Sequence, residues 1–280
     1  MKYLHLAAHL FLLLFWARAW VKPANTFYFN PFLSGTVRLI DRITGFLRPA
    51  LMLPDRLTAV ALLLFFWAFQ TLFFARFDTD GKLLLWAWSF VPAEVAPLPG
   101  QQFAASGLSF AYFLTQLWTA YFLVGLIAPP GRPTRAQEAF SFFTSPFSRL
   151  PRLAQPLVLL TLHLVLVLAM FRLRAHTHTV HSAAQLLRLT CYAAISFTNA
   201  LHAITLSLFF FVFAGLGAQL LGAKTLALIC RESVETLLGR FARTPTPGSL
   251  GFAPLIFFFV VNFIHGSILS GVLWLIAKIP

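Results

Sequence analysis

Four histidines, His9, His163, His202 and His265, stand inside long apolar runs, where an imidazole is the side chain best equipped for chemistry. Ionisable groups at such depth usually face the interior of a helix bundle and mark a functional site or a tight partner. Two histidines on different helices can hold a haem iron from both sides, and the aromatic content, 16% with 33 Phe, would line such a pocket. The competing role is structural: each histidine gives one hydrogen bond to a neighbouring helix, as Gln70, Gln116, Asn199 and Asn262 would also do. The structural role is the favoured expectation, with haem the alternative and a proton or ion path behind it. No cofactor is therefore expected.

Other chemistry-bearing residues lead less far. His176, His178 and His181 form an H-x-H-x-x-H pattern in a connecting loop, but no fourth ligand accompanies them, so a solvated loop is expected and no metal site. Asp78-Thr79-Asp80-Gly81 begins like a calcium loop that Lys82 and Leu83 to Leu85 cannot continue, and reads as a turn. Paired carboxylates within the apolar runs, a Ser or Cys nucleophile beside a base, and a glycine-rich phosphate loop are all missing from the sequence, so an enzyme is not expected. Cys191 and Cys230 make neither a disulfide framework nor a CxxC pair and read as small apolar packers.

A second group of residues has recognition rather than reaction as its chemistry. From Asn30 to Arg56, the apolar residues Phe32, Leu33, Val37, Ile40, Ile43, Leu47 and Leu51 recur at three or four. Ser34, Arg38, Asp41, Arg42, Gly45 and Arg48 fall opposite them, which predicts an amphipathic helix lying on a membrane surface. Two further basic segments, 132 to 155 and Lys224 to Arg243, are read in the same way. Arg38, Arg42, Arg48, Arg56, Arg149, Arg152, Arg240 and Arg243 would sit at headgroup depth. Each is worth about 1 kcal/mol against an anionic surface. Simple anchoring is one reading; the sharper one is a docking surface for anionic phospholipid or for other integral membrane proteins, with an oligomer also open.

The elements that must position these residues follow from composition. Of 280 residues 59% are hydrophobic and only 10% charged, against about 25% charged in a soluble domain. The mean hydropathy of +0.80 makes lipid the main solvent. A net charge of +13 would suggest nucleic acid in a soluble chain; here loops facing a negative membrane explain it, and no nucleic-acid partner is expected. A crossing helix needs about 20 apolar residues, and six runs come near that. They are Leu4 to Val21, Leu57 to Phe74, Phe103 to Ala128, Pro156 to Phe171, Leu189 to Leu221 and Gly251 to Ile276. The first has a small-residue motif, Ala17-Arg18-Ala19, that suits signal cleavage, but retention as a span is favoured. The fifth exceeds a perpendicular span, so it tilts or breaks, with Gly215, Gly217 and Gly222 the expected places.

The order of run, basic amphipathic segment, proline and run occurs three times, over about 1 to 76, 103 to 174 and 186 to 277. Pro54, Pro156 and Pro254 open the second run of each unit, 102 and 98 residues apart. The expectation is an all-α, polytopic membrane domain over 1 to 280, with about six spans and three interfacial helices. The segments between paired runs hold 14 of the 21 Lys and Arg, which puts them on the cytoplasmic side and both termini outside. Ser267 and Gly271, and Ala214, Ala218 and Gly222, make small-residue stripes suited to close helix packing within the protein or with a partner, the former being the expected use.

Asn30-Pro31-Phe32, Val37-Arg38-Leu39-Ile40-Asp41, Ile43-Thr44 and Leu47-Arg48-Pro49, with Pro54 ahead of a Leu/Phe-rich run, resemble the repeat of the YggT family, called YlmG in photosynthetic lineages. Thr236, Leu237-Leu238, Arg240, Arg243-Thr244-Pro245 and Phe252-Ala253-Pro254-Leu255-Ile256 look like a diverged copy. The likeness covers about residues 10 to 74 and 195 to 270. Met52 and Leu53 stand where paired arginines are expected, and two repeats have become three. The resemblance implies a multi-pass protein of the bacterial inner (plasma) membrane or thylakoid, with relatives linked to osmotic tolerance, to cell or plastid division, and to haem attachment during cytochrome maturation. The expected function is a non-enzymatic scaffold or assembly factor; a haem-binding or haem-handling protein, or an ion channel or transporter, are the alternatives.

Overall fold

The computed structural model of the chain describes residues 2–21, 28–77, 83–85, 93–95, 101–128, 133–175, 183–243 and 253–279. Apolar composition and scarce breakers make most of this helical. In order the helices are α1 (Lys2–Trp20), α2 (Ser34–Leu51), α3 (Asp55–Phe77), α4 (Gln101–Ile127), α5 (Arg135–Phe143), α6 (Ala154–Ala175), α7 (Ala183–Leu220), α8 (Lys224–Leu238) and α9 (Ala253–Lys278). Short 3-10 turns occupy Phe147–Arg149 and Gly239–Arg243. One departure from the all-α expectation is a two-stranded antiparallel ribbon, β1 (Leu83–Leu85) with β2 (Ala93–Val95), between α3 and α4.

Four helices, α3, α4, α7 and α9, are long and apolar enough to cross a membrane; α1 and α6 carry shorter apolar stretches, Ala7–Trp20 and Ala154–Met170. The protein is thus a helical membrane protein by length and composition. The prolines act at helix starts: Pro54 directly precedes α3, its carbonyl accepting from the Thr58 N–H, while Pro156 and Pro254 lie in the first turns of α6 and α9. There a missing N–H costs no helical bond. Thr134 caps α5 in a reciprocal box with Gln137. α2 runs through Pro49 and stops at Met52, which adopts φ 51 and gives its N–H to the Arg48 carbonyl.

The fifth apolar run does not break. α7 continues through Gly215 and Gly217 for 38 residues, about 57 Å at 1.5 Å per residue, and ends only at Gly222, whose φ of +69° suits a residue without Cβ. Its length is therefore taken up by tilt or by projection beyond the hydrocarbon.

α4 is the central helix: half of its most apolar window is buried, against 17% for α9. α1 packs on α3, α4 on α6, and α7 on α9, with α4 also touching α3, α7 and α8. One cluster joins Ala120 and Val124 of α4 to Ile204 and Leu208 of α7, Leu237 and Leu238 of α8, and Phe257 and Val261 of α9. A second joins Ala17 of α1 and Val21 just after it to Leu33, Val37 and, from α5, Ala139 and Phe142. Between helices in lipid, van der Waals fit rather than water exclusion holds such clusters together. Gly239 shows how tight the fit is, because a Cβ there would overlap the Ile127 carbonyl at the end of α4. The stripe of Ser267 and Gly271 is not used for packing within the chain: both residues are exposed, and a Cβ added at Gly271 would meet nothing within 4 Å.

Candidate functional site

The predicted amphipathic helix forms, but it has three faces rather than two. At 100° per residue, Leu33, Val37, Ile40 and Thr44 fall together and are buried against α1, α3 and α5. On the same count Leu39 and Phe46 fall on the far side of the helix and stay open, Phe46 being 80% exposed. Arg38 and Arg42, one turn apart, are exposed next to them. The apolar residues thus divide between a protein-facing stripe and a free stripe that borders two arginines. A free stripe of this kind suits the acyl side of a headgroup layer, with guanidinium groups reaching the phosphates.

The side of α2 that carries Asp41 is locked by charge. Arg18 of α1, buried at 7% side-chain exposure, donates from Nε to Asp41 Oδ1 at 2.9 Å and from Nη1 to the Val21 carbonyl at 3.4 Å. Tyr28 donates its hydroxyl to the other Asp41 oxygen. That hydrogen bond to Asp41, followed by burial and the nearby carboxylate charge, raises the Tyr28 phenol above its usual range. Asp55, at the start of α3, lies 3.9 Å from Arg18 Nη2 and 3.3 Å from Arg48 Nη1. Arg48 therefore serves α3 as well as the surface. Arg18, placed by sequence in a cleavage-like motif, is instead the pin that joins α1, α2 and α3.

The three basic segments form one layer. The Asn30 side chain donates to the Arg135 carbonyl at 3.0 Å and to Glu138 Oε2 at 3.4 Å, fixing the α2 approach to α5, while its own Oδ1 accepts from the Phe32 N–H. Trp16 Nε1 donates to the Ser145 carbonyl at 2.9 Å. Thr134 of α5 and Thr236 of α8 share a hydrogen bond at 3.0 Å. Around this layer Arg38, Arg42, Arg56, Arg149, Arg152 and Arg240 are exposed. The Arg243 side chain, like Asp78, Asp80, Arg132, His176, His178 and His181, lies outside the described residues. Cys230 of α8 is buried, and that burial raises its thiol above the usual range.

The histidines of the apolar helices separate into two kinds. His9 Nε2 meets Ser109 Oγ at 3.1 Å. His163 of α6 uses both ring nitrogens, Nε2 with Thr119 Oγ1 at 3.0 Å and Nδ1 with Ser196 Oγ at 2.8 Å. Ser196 of α7 also donates to the Tyr112 hydroxyl at 3.2 Å, and Gln116 donates to that hydroxyl and to the Ser196 carbonyl. These contacts belong to a buried polar stripe on α4, formed by Ser106, Ser109, Tyr112, Gln116 and Thr119, that ties it to four neighbours. Thr71 of α3 completes it with a 2.8 Å bond to Ser106 Oγ. The spacing of three, three, four and three residues was visible in the sequence. His202 and His265 are different: they face each other across α7 and α9 with ring centroids 5.9 Å apart. Of the four histidines proposed as haem ligands, these are the two that meet.

No protein-family model, curated protein or solved structure matches the chain. Function therefore has to be argued from these residues.

Proposed function

We propose that the chain is a non-enzymatic membrane scaffold or assembly factor of YggT type, whose basic interfacial layer contacts anionic phospholipid and, through it or beside it, other integral membrane proteins. The observation that carries this reading is the outer side of α2, where exposed Arg38 and Arg42 border exposed Leu39 and Phe46 while the opposite stripe is fixed in the fold. A helix that was only part of the core would have no reason to leave this combination free. The hydrogen bonds from Asn30 to α5 and from Thr134 to α8 support the arrangement of all three segments on one side. The pairing of α1 with α3, α4 with α6 and α7 with α9 supports three units of two spans each, six in all. On this reading the layer is cytoplasmic, the membrane is the bacterial inner membrane, and the termini are outside. Charge reversal by R38E/R42E tests it. Captured anionic lipid or membrane partner should be lost while elution volume and helix content stay unchanged; unaltered capture contradicts the proposal.

A haem-handling role is the second reading, favoured by the meeting of His202 and His265. A Soret band on the purified protein, or one developing on addition of haem, tests it, and a protein that stays colourless with haem added ends it.

A further inference from the structure

α1 and α3 run antiparallel. Arg18 stands by Asp55 at one end of the pair, and near its middle Phe11 and Phe15 meet Phe66 with ring centroids 4.9 and 5.3 Å apart. Beyond these rings the two helices leave a groove of about 320 Å³, walled by Ala7, Ala8 and Phe11 of α1 and by Phe66, Phe69 and Phe73 of α3. Ala7 and Ala8 bring only methyl groups to it, too little to fill the space between the helices. Gln70 is the polar side chain of the lining, but its amide turns to Ser106 of α4 at 3.5 Å and its Oε1 is covered. The groove therefore offers hydrocarbon contact and no side-chain hydrogen bond. Its depth follows from α3. Counted from Asp55, beside α2, Phe66 lies about 17 Å and Phe74 about 29 Å along the helix, against a hydrocarbon core of about 30 Å. The groove thus runs from the bilayer centre to the face opposite α2, the depth of one leaflet. Arg76, in the last turn of α3, is exposed and follows Phe69 by seven residues, within about 20° of it round the helix. Its guanidinium is placed at headgroup depth above the exposed rim of Phe69 and Phe73.

We propose that the groove seats one acyl chain of a phospholipid from the leaflet opposite α2, with the phosphate of that lipid held by Arg76. A void among apolar side chains forfeits its dispersion contacts, so in a bilayer hydrocarbon fills it. Size fits a single chain. At about 30 Å³ for a group the size of a water or a methylene, the volume takes about ten chain carbons, and the groove is about 12 Å long from Phe66 to Phe74. Charge fits the headgroup: a guanidinium forks onto phosphate oxygens with charge-assisted hydrogen bonds, and a lipid caught at both ends stays longer than its neighbours. A hydroxylated ring lipid finds no acceptor, because the Gln70 Oε1 is covered. This contact is at the other face from the free stripe of α2 and uses neither Arg38 nor Arg42.

The test is photolabelling of the full-length protein in nanodiscs of phosphatidylglycerol and phosphatidylethanolamine, with a trace of phosphatidylglycerol that carries a diazirine at the end of one chain, followed by peptide mapping. Label should concentrate on residues 7–12 and 66–74, above the level on Phe210 and Phe263, which are exposed on α7 and α9. Ala8→Leu fills the groove and should bring its labelling down to that level while the protein elutes as wild type does. Arg76→Gln changes only an exposed side chain, so it guards against a packing failure; it should weaken groove labelling about fivefold, the weight of one cation at an anionic surface. R38E/R42E should leave groove labelling unaltered. Even labelling of groove, Phe210 and Phe263 in wild type, or undiminished groove labelling in Ala8→Leu or Arg76→Gln, overturns the proposal. So does loss of the groove label in R38E/R42E, which would place the lipid on the α2 side, or labelling by a diazirine fatty acid where the phospholipid probe gives none.

Discussion

Replacing Asp41 with Asn leaves the geometry of the α1, α2 and α3 junction in place and removes the charge that Arg18 was buried against. Stripping one partner from a fully buried ion pair costs about 3–5 kcal/mol, because the other charge is left uncompensated. Arg18 approaches that limit at 7% side-chain exposure, but Asp41 is 22% exposed and Asp55, half exposed, stands 3.9 Å away as a second carboxylate. Solvent and Asp55 together reduce the expected loss to about 2 kcal/mol, roughly a thirtyfold change in the ratio of folded to unfolded protein. Arg18→Leu should cost less, about 1 kcal/mol, because Asp41 keeps the Tyr28 hydroxyl and reaches water. The double variant R18L/D41N should then cost no more than D41N alone, since the stranded arginine is gone. Steric-trapping or SDS-titration measurements of unfolding in mixed micelles give all three values. A D41N loss below about 0.5 kcal/mol, or a double-variant loss equal to the sum of the singles, would refute the pin assigned to Arg18.

Two further outcomes follow from the same geometry. Ser196→Ala withdraws a hydroxyl shared by His163, Tyr112 and Gln116, three contacts at about 0.6 kcal/mol each in a membrane. Unfolding should therefore shift by about 2 kcal/mol, while Thr161→Ala, whose hydroxyl only returns to the Leu157 carbonyl of its own exposed helix, should shift it negligibly. The Tyr28 phenol ionises above its ordinary value of 10.0 because its O–H donates to Asp41. Its contribution to stability is present below the unfolded-state pKa and lost as pH climbs through the raised folded-state pKa. The difference between wild-type and Tyr28→Phe alkaline absorbance titrations should show one late-ionising tyrosine, returning to ordinary behaviour in D41N; an ordinary titration in wild type contradicts the bond.

Much of this molecule could be read from its sequence, for physical reasons that also explain the exceptions. Long apolar runs have few states open to them in lipid, so the helices and their opening prolines were legible. The periodicity of residues 32 to 51 announced an amphipathic helix, yet could not say that Leu39 and Phe46 stay free while Leu33, Val37 and Ile40 face protein, because hydropathy does not distinguish lipid from helix. Arg18 read as part of a cleavage-like motif, since its partner Asp41 lies 23 residues away in the sequence. The stripe from Ser106 to Thr119 passed unread because Ser and Thr within a span commonly bond their own helix, as Thr115 does to the Ala111 carbonyl. Small residues at positions 267 and 271 suggested packing, but such spacing only permits close approach and α9 is peripheral. The histidines stood out as a group by their place in apolar runs; only the fold could show His163 bonded through both ring nitrogens and His202 beside His265.

The account stands or falls on the free side of α2. Wild-type protein and R38E/R42E, extracted from native membrane in polymer discs without detergent, should be compared for the phospholipids that accompany them. Anionic phospholipid should be enriched around wild type relative to the bulk membrane and reduced to the bulk proportion around the variant. The same lipid composition around both proteins, at equal folding, would contradict it.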